Sequence, residues 1–236
     1  MGGISTSIRK DESQFCLKVE EGEDQDEFII TRHGQFLRPI NICNVYGEQE
    51  GRNSNIEIEE RWARICNHLK VIEDRNEESI LMGDMNKLVG NGPLGVKDNN
   101  VKVTFGGKLV HQLLQDGKYI LLNNSDKCAG GPFTRIDPSN PNIKSCLSLV
   151  IVSAGLEDYV EELLIDKERK FTQHRPIRKD GKLVFTDHYG LLLNVKNFPH
   201  KYERKNPAMW MWNTNKEGGW KRYLELTTGS KELEQV

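Results

Sequence analysis

Ser79-Ile80-Leu81-Met82-Gly83-Asp84-Met85-Asn86 runs from an apolar stretch directly into a carboxylate and a carboxamide two residues apart. A short apolar run closed by a glycine reads as a buried strand and its end. Side chains two apart on extended chain share a face, so Asp84 and Asn86 are expected together at a strand tip. Such a pair can take a proton from water and orient it. Alone, the tetrapeptide Gly83-Asp84-Met85-Asn86 also suits a plain turn.

Three further polar pieces sit at the ends of strand-like apolar runs. They are Asn44-Val45-Tyr46, then Thr134-Arg135 with Ser145-Cys146-Leu147-Ser148, then Thr186-Asp187-His188. The last lies inside an apolar segment, where a carboxylate beside an imidazole is costly unless paired or metal-bound. Cleaving a phosphodiester needs a cation on the phosphate, a base for water and a donor for the developing oxyanion. Groups gathered from several strand tips can supply all three. Singly, Tyr46, Thr134 and Arg135 read as packing residues.

Around these pieces the chain alternates strands and helices, which defines an α/β class. Ile4 to Ile8 and Phe15 to Val19 suggest a hairpin, and Glu20 to Glu27 an acidic solvated loop. Phe28 to Thr31 and Ile40 to Tyr46 are strand-like. Ile58, Trp62, Ile65, Leu69 and Ile72 recur at helical spacing, and Ser54 with Glu57 has capping-box spacing before them. Leu88 to Asn100 is rich in glycine and reads as a surface loop. Leu109, Val110, Leu113 and Leu114 make a second helical stripe, stopped at Gly117. Tyr119 to Leu122 is a strand ending at Asn123, and Leu147 to Val152 is another. Leu156 to Asp166 reads as a helix, and Lys182 to Val195 as one strand carrying Asp187 and His188.

Composition narrows the classes. A chain of 236 residues can bury one sizeable core. Net charge is −2, so no overall basic field points to tight nucleic-acid binding. The five cysteines are scattered without C-x-x-C spacing, which indicates neither a zinc site nor a disulfide framework and fits a cytoplasmic or nuclear setting. No apolar run approaches the roughly 20 residues that span a membrane. From Lys196 the character changes, and three of the four tryptophans lie in this tail. The division expected is a domain over 1–195 and a Trp-rich tail or linker over 196–236. Within the tail, a linker docked on the domain is weighed against an aromatic and basic surface for single-stranded nucleic acid.

In their order and spacing the four pieces resemble the endonuclease/exonuclease/phosphatase superfamily, over roughly residues 2–195. Within it the chain is similar to the endonuclease domain of LINE-like (non-LTR) retrotransposons. The tail around Trp212, Trp220 and Tyr223 is similar to the segment leading such domains into the reverse transcriptase. The resemblance implies a DNase I-like, four-layer sandwich of two facing sheets flanked by helices. It implies that Tyr46 contacts the scissile phosphate, Asp84 activates water and Asn86 orients it. Asp187 would help bind Mg²⁺, His188 would donate to the phosphate, and Asn123 would support Asp84. Thr134, Arg135 and Ser148 would stand at the substrate.

The chain departs from that pattern twice. Gly2 to Ile8 matches the strand after the family's first strand-helix-strand, the part that delivers an Asn and a metal-binding Glu. Position 148 holds Ser where the family has Asp. Both losses lead to the expectation of an endonuclease remnant with little or no turnover, acting as a binding or associated protein. The alternative is a weak Mg²⁺-dependent phosphodiesterase or DNA endonuclease. No tightly held cofactor is expected, with Mg²⁺ required if the site is active. The partner expected is another protein or a second copy covering the truncated edge, with DNA bound weakly and no membrane.

Overall fold

Chain alternation puts every second side chain of a strand on the same face, and here both faces of the central strands are apolar. The computed structural model describes residues 6, 8, 13–21, 28–92, 94–96, 102–137, 139–168, 177–179, 182–184 and 187–201. The larger sheet contains β1 (Cys16–Glu21), β2 (Phe28–His33), β3 (Ile40–Tyr46), β4 (Glu78–Asp84), β5 (Tyr119–Leu121) and β9 (Ser148–Ser153). Its order is β1-β2-β3-β4-β9-β5, with β3 and β4 parallel and the other neighbours antiparallel. A smaller sheet is ordered β13-β10-β6, from β6 (Cys128–Ala129), β10 (Val160–Asp166) and β13 (Gly190–Val195). Two short ribbons complete the strands: β7 (Arg135–Ile136) with β8 (Lys144–Ser145), and β11 (Ile177–Lys179) with β12 (Lys182–Val184).

One face of the larger sheet packs on the helices α1 (Asn55–Asp74) and α2 (Phe105–Leu114). Cys43, Val45, Leu81, Leu149 and Ile151 point that way and meet Ile58, Trp62, Leu69 and Val110. The alternate residues Ile40, Ile80, Val150 and Val152 face the smaller sheet and pack with Leu163, Val160 and Phe198. The molecule is therefore an α/β two-sheet sandwich with helices outside. α1 starts where its capping box predicts: Ser54 Oγ accepts the Glu57 N–H at 3.3 Å, and Glu57 Oε2 accepts the Ser54 N–H at 2.7 Å. Its buried residues are Ile58, Trp62, Ile65, Leu69 and Ile72.

Several local expectations change. Residues 156–166 are not a helix: Ala154–Tyr159 forms a 3-10 turn and Val160–Asp166 is β10. β13 offers β10 a matching apolar edge, and pairing outweighs local helical preference. The single strand expected over 182–195 is two strands, β12 and β13, with Asp187 and His188 between them. Within the loop 88–100, Val89 and Val96 are buried in the core rather than at the surface. Of the hairpin expected at Ile4 to Ile8, only Thr6 and Ile8 are among the described residues. The acidic run from 22 to 27 and the tail beyond Lys201 lie outside them.

The chain past Val195 stays on the sandwich as far as it is described. Phe198 is buried among Phe36, Tyr159 and the inter-sheet core, and Leu37 N–H donates to Pro199 O at 2.7 Å. Truncating such a ring removes packing worth about 3–5 kcal/mol. Phe198→Ala should therefore lower unfolding free energy by about that amount in urea titration. A loss below about 1 kcal/mol would show that this segment adds nothing to the core.

Candidate active site

β4 carries the site because its two neighbours hold its tip in register. Tyr46 of β3 and Ser148 of β9 both pair with Asp84. The three residues therefore form one row at the end of the larger sheet, on the face that looks toward the smaller sheet. Gly83 makes the row attainable: its φ is +138, and a Cβ there would lie 2.1 Å from Val45 O. Beyond β4 the chain turns back at Asn86, whose φ is +51. That left-handed residue is held by two bonds. Its N–H donates to Asp84 Oδ1 at 3.1 Å, and its Nδ2 donates to Gly47 O at 2.7 Å.

The second wall comes from the ribbon β7–β8 and the segment before β13. Ile136 N–H donates to Asp187 O at 2.9 Å, and Tyr189 N–H donates to Thr134 O at 2.8 Å. Arg135 thus lies opposite His188, and its Nε donates to Asp187 Oδ2 at 2.6 Å. His188 reaches across to β4, with Nε2 3.6 Å from Asp84 Oδ2. On the other side of the ring, Nδ1 shares a hydrogen bond with Ser148 Oγ at 3.2 Å. Its direction follows the ring tautomer.

Tyr46, Asp84, Asn86, Arg135, Asp187 and His188 line one cleft of about 550 Å³. Tyr46 is half exposed at its rim. Residues separated by more than half the chain therefore meet here. Three of the expected site residues do not reach the cleft surface. Thr134 is fully buried, and its Oγ1 accepts the N–H groups of Leu147 at 3.0 Å and Ser148 at 2.9 Å. Asn123 is buried too. Its Nδ2 donates to Ser148 O at 3.1 Å and its Oδ1 accepts the Val150 N–H at 2.7 Å, so it braces β9 rather than Asp84. Ser148 is buried behind His188. Thr134 and Asn123 hold the backbone of β9, and Ser148 lines a second cavity of about 410 Å³ that shares Asp84 with the cleft.

Sequence reading missed Glu50, Gln49, Leu88 and Thr104, which also line the cleft. The signal available was the polar run Glu48-Gln49-Glu50 following Tyr46. It also missed Lys87. That side chain is buried, with Nζ 3.3 Å from Glu48 Oε2, and Glu48 in turn meets Arg61. Nothing in the sequence around Lys87 marks it as buried.

A hard cation such as Mg²⁺ takes oxygen ligands in near-octahedral array. Asp187 is already held by Arg135, and Glu50 Oε1 accepts the Gly106 N–H at 2.8 Å at the start of α2. Among the described residues no three His, Cys, Asp or Glu side chains form a metal-holding group.

No protein-family model matches this chain, and no curated protein sequence does. Solved structures do. The 3'-5' exonuclease NExo from Neisseria meningitidis superposes with a TM-score of 0.55 at 16% identity, over 73% of this chain and 66% of that one. An AP endonuclease from Archaeoglobus fulgidus gives 0.53 at 14%, over 76% and 69%. The endonuclease domain of TRAS1, a telomere-specific non-LTR retrotransposon, gives 0.49 at 16%, over 77% and 68%. The chain spans about two thirds of the length of each of these structures. Its fold is the DNase I-like fold of the endonuclease/exonuclease/phosphatase proteins.

Burial raises the Asp84 carboxyl above its ordinary range; His188 and the Asn86 N–H oppose the shift, and Asp187 adds to it. A carboxyl so raised binds its proton more tightly in the folded state. Its ionisation therefore costs folding stability above the raised value, and the cost vanishes below the unfolded value of about 3.9. Asp84→Asn should raise the melting temperature at pH 7, with the gain shrinking to nothing as pH falls through the carboxylate range. A variant less stable than the parent at pH 7 would show that the Asp84–His188 pair outweighs burial.

Proposed function

We propose that this chain is a degenerate endonuclease domain of retrotransposon type, one that holds the phosphodiester backbone of nucleic acid and cleaves it little or not at all. In this reading Tyr46 and His188 face the phosphate, while Asp84 and Asn86 hold the water. The observation that carries the loss of turnover is the Ser148–His188 bond. A hydroxyl can orient the ring but cannot stabilise its positive form as a carboxylate would. The Arg135 guanidinium on Asp187 adds to it by occupying the carboxylate a cation would need.

The second reading is a weak Mg²⁺-dependent phosphodiesterase. It is favoured by the approach of Asp84 and His188 to 3.6 Å with Tyr46 and Asn86 in the same cleft. A binding or associated role also calls for a protein partner or a second copy. Its place in this reading is beside β13, which has β10 on one side only among the described residues. No described helix is long and apolar enough to cross a membrane, and a cytoplasmic or nuclear setting suits the free thiols of all five cysteines.

Plasmid nicking in Mg²⁺ and in EDTA separates the readings. Near-background nicking is expected from the parent chain. Ser148→Asp places a carboxylate at His188 Nδ1 and should raise nicking about tenfold or more. Efficient nicking by the parent that needs Mg²⁺ and disappears in Asp84→Ala would establish the second reading instead.

A further inference from the structure

The cleft is poorly suited to attract a polyanion. Asp84, Asp187 and Glu50 line it against one guanidinium, Arg135, and one imidazole, His188. The attraction a phosphate backbone needs has to come from beside the cleft.

Such charge is built next to Arg135. Gly130 and Gly131 take φ values of +93° and +87°, and Pro132 then leads to Phe133. Gly131 leaves the room that Lys167 uses, since a Cβ there would lie 2.6 Å from Lys167 Nζ. The Lys167 ammonium sits 5.6 Å from the centre of the Phe133 ring, and that of Lys144 sits 5.4 Å from it. Neither lysine has an ion pair with a described carboxylate. Two ammonium groups gathered on one ring repel each other, and the ring quadrupole offsets only part of that. Phe133 is two residues from Arg135, about 7 Å of extended chain. Lys144 adjoins Ser145, the register partner of Arg135.

We infer that Phe133, Lys144 and Lys167 form a binding patch for the phosphates of a nucleic-acid strand running into the cleft. Both cations lie over the ring, so the ring orders the lysines rather than stacking a base. Contact is with the backbone and is independent of base sequence. The inference rests on the reading of the cleft as a phosphodiester site.

The test is fluorescence anisotropy of a fluorescein-labelled DNA duplex with the full chain in EDTA, across a salt series. Lys144→Ala and Lys167→Ala should each lower the slope of log K against log salt by about 0.9. Lys70→Ala, exposed on α1, should leave the slope unchanged. Phe133→Leu keeps the charge and should weaken binding at every salt concentration. Unchanged slopes in both lysine variants, or an equal loss in Lys70→Ala, would overturn the patch while leaving the cleft reading standing. Displacement of the duplex by polyglutamate as readily as by unlabelled DNA would overturn its assignment to nucleic acid. A parent chain that binds no duplex at any salt would sink both ideas. Slope losses in a chain that nicks efficiently would uphold the patch and remove only the claim of lost turnover.

Discussion

The register of β4 between β3 and β9 is the constraint on which the rest depends. The side chains of a strand alternate, so a slip of one residue would carry Asp84 from the inter-sheet face to the helix-packed face. Leu81 would then leave the core it shares with Trp62 and Leu149. The register is held from both faces at once, by apolar residues packing on α1 and α2 and by others packing on β10 and β13. The polar tip inherits its geometry from that apolar packing. Tyr46, Asp84 and Ser148 stand in one row because the hydrophobic rows behind them can align in only one way.

The loops around the tip are held by polar contacts instead. Asn86 in its left-handed conformation is bonded to Asp84 and Gly47, and Lys87 beside it is buried on Glu48. A buried ion pair adds little net stability, but removing one partner costs about 3–5 kcal/mol. Lys87 and Glu48 therefore act as a clamp between the loops that follow β3 and β4. Gly106 leaves the space the lysine stem occupies, since a Cβ there would lie 2.2 Å from Lys87 Cδ. The start of helix α2 therefore packs directly on the clamp.

Charge is distributed unevenly around this frame. The cleft gathers carboxylates, and the guanidinium of Arg135 is engaged with one of them. Positive charge collects a short distance away on Phe133. A formal net charge of −2 does not report this local separation, because it sums over the whole chain.

Much was legible in the sequence where local chemistry and burial agree. The helix at Ile58 to Ile72 with its Ser54 cap, the strands ending at Tyr46 and Asp84, and the α/β class follow from periodicity and capping alone. Where a segment's state depended on a distant edge, local signals failed: residues 160–166 become a strand because β13 offers pairing. The composition of the candidate site was equally visible, but the parts played by its members were not. Thr134 and Asn123 look like site residues in sequence, and only folding shows that both are spent on the backbone of β9. Lys87 and Glu48 look like surface charges, and only the meeting of two loops with α1 and α2 buries them. The physical reason is the same in each case. Hydrophobic period and capping are properties of neighbours in sequence. Which donor satisfies which buried acceptor is decided by groups that folding brings together from far apart in the chain.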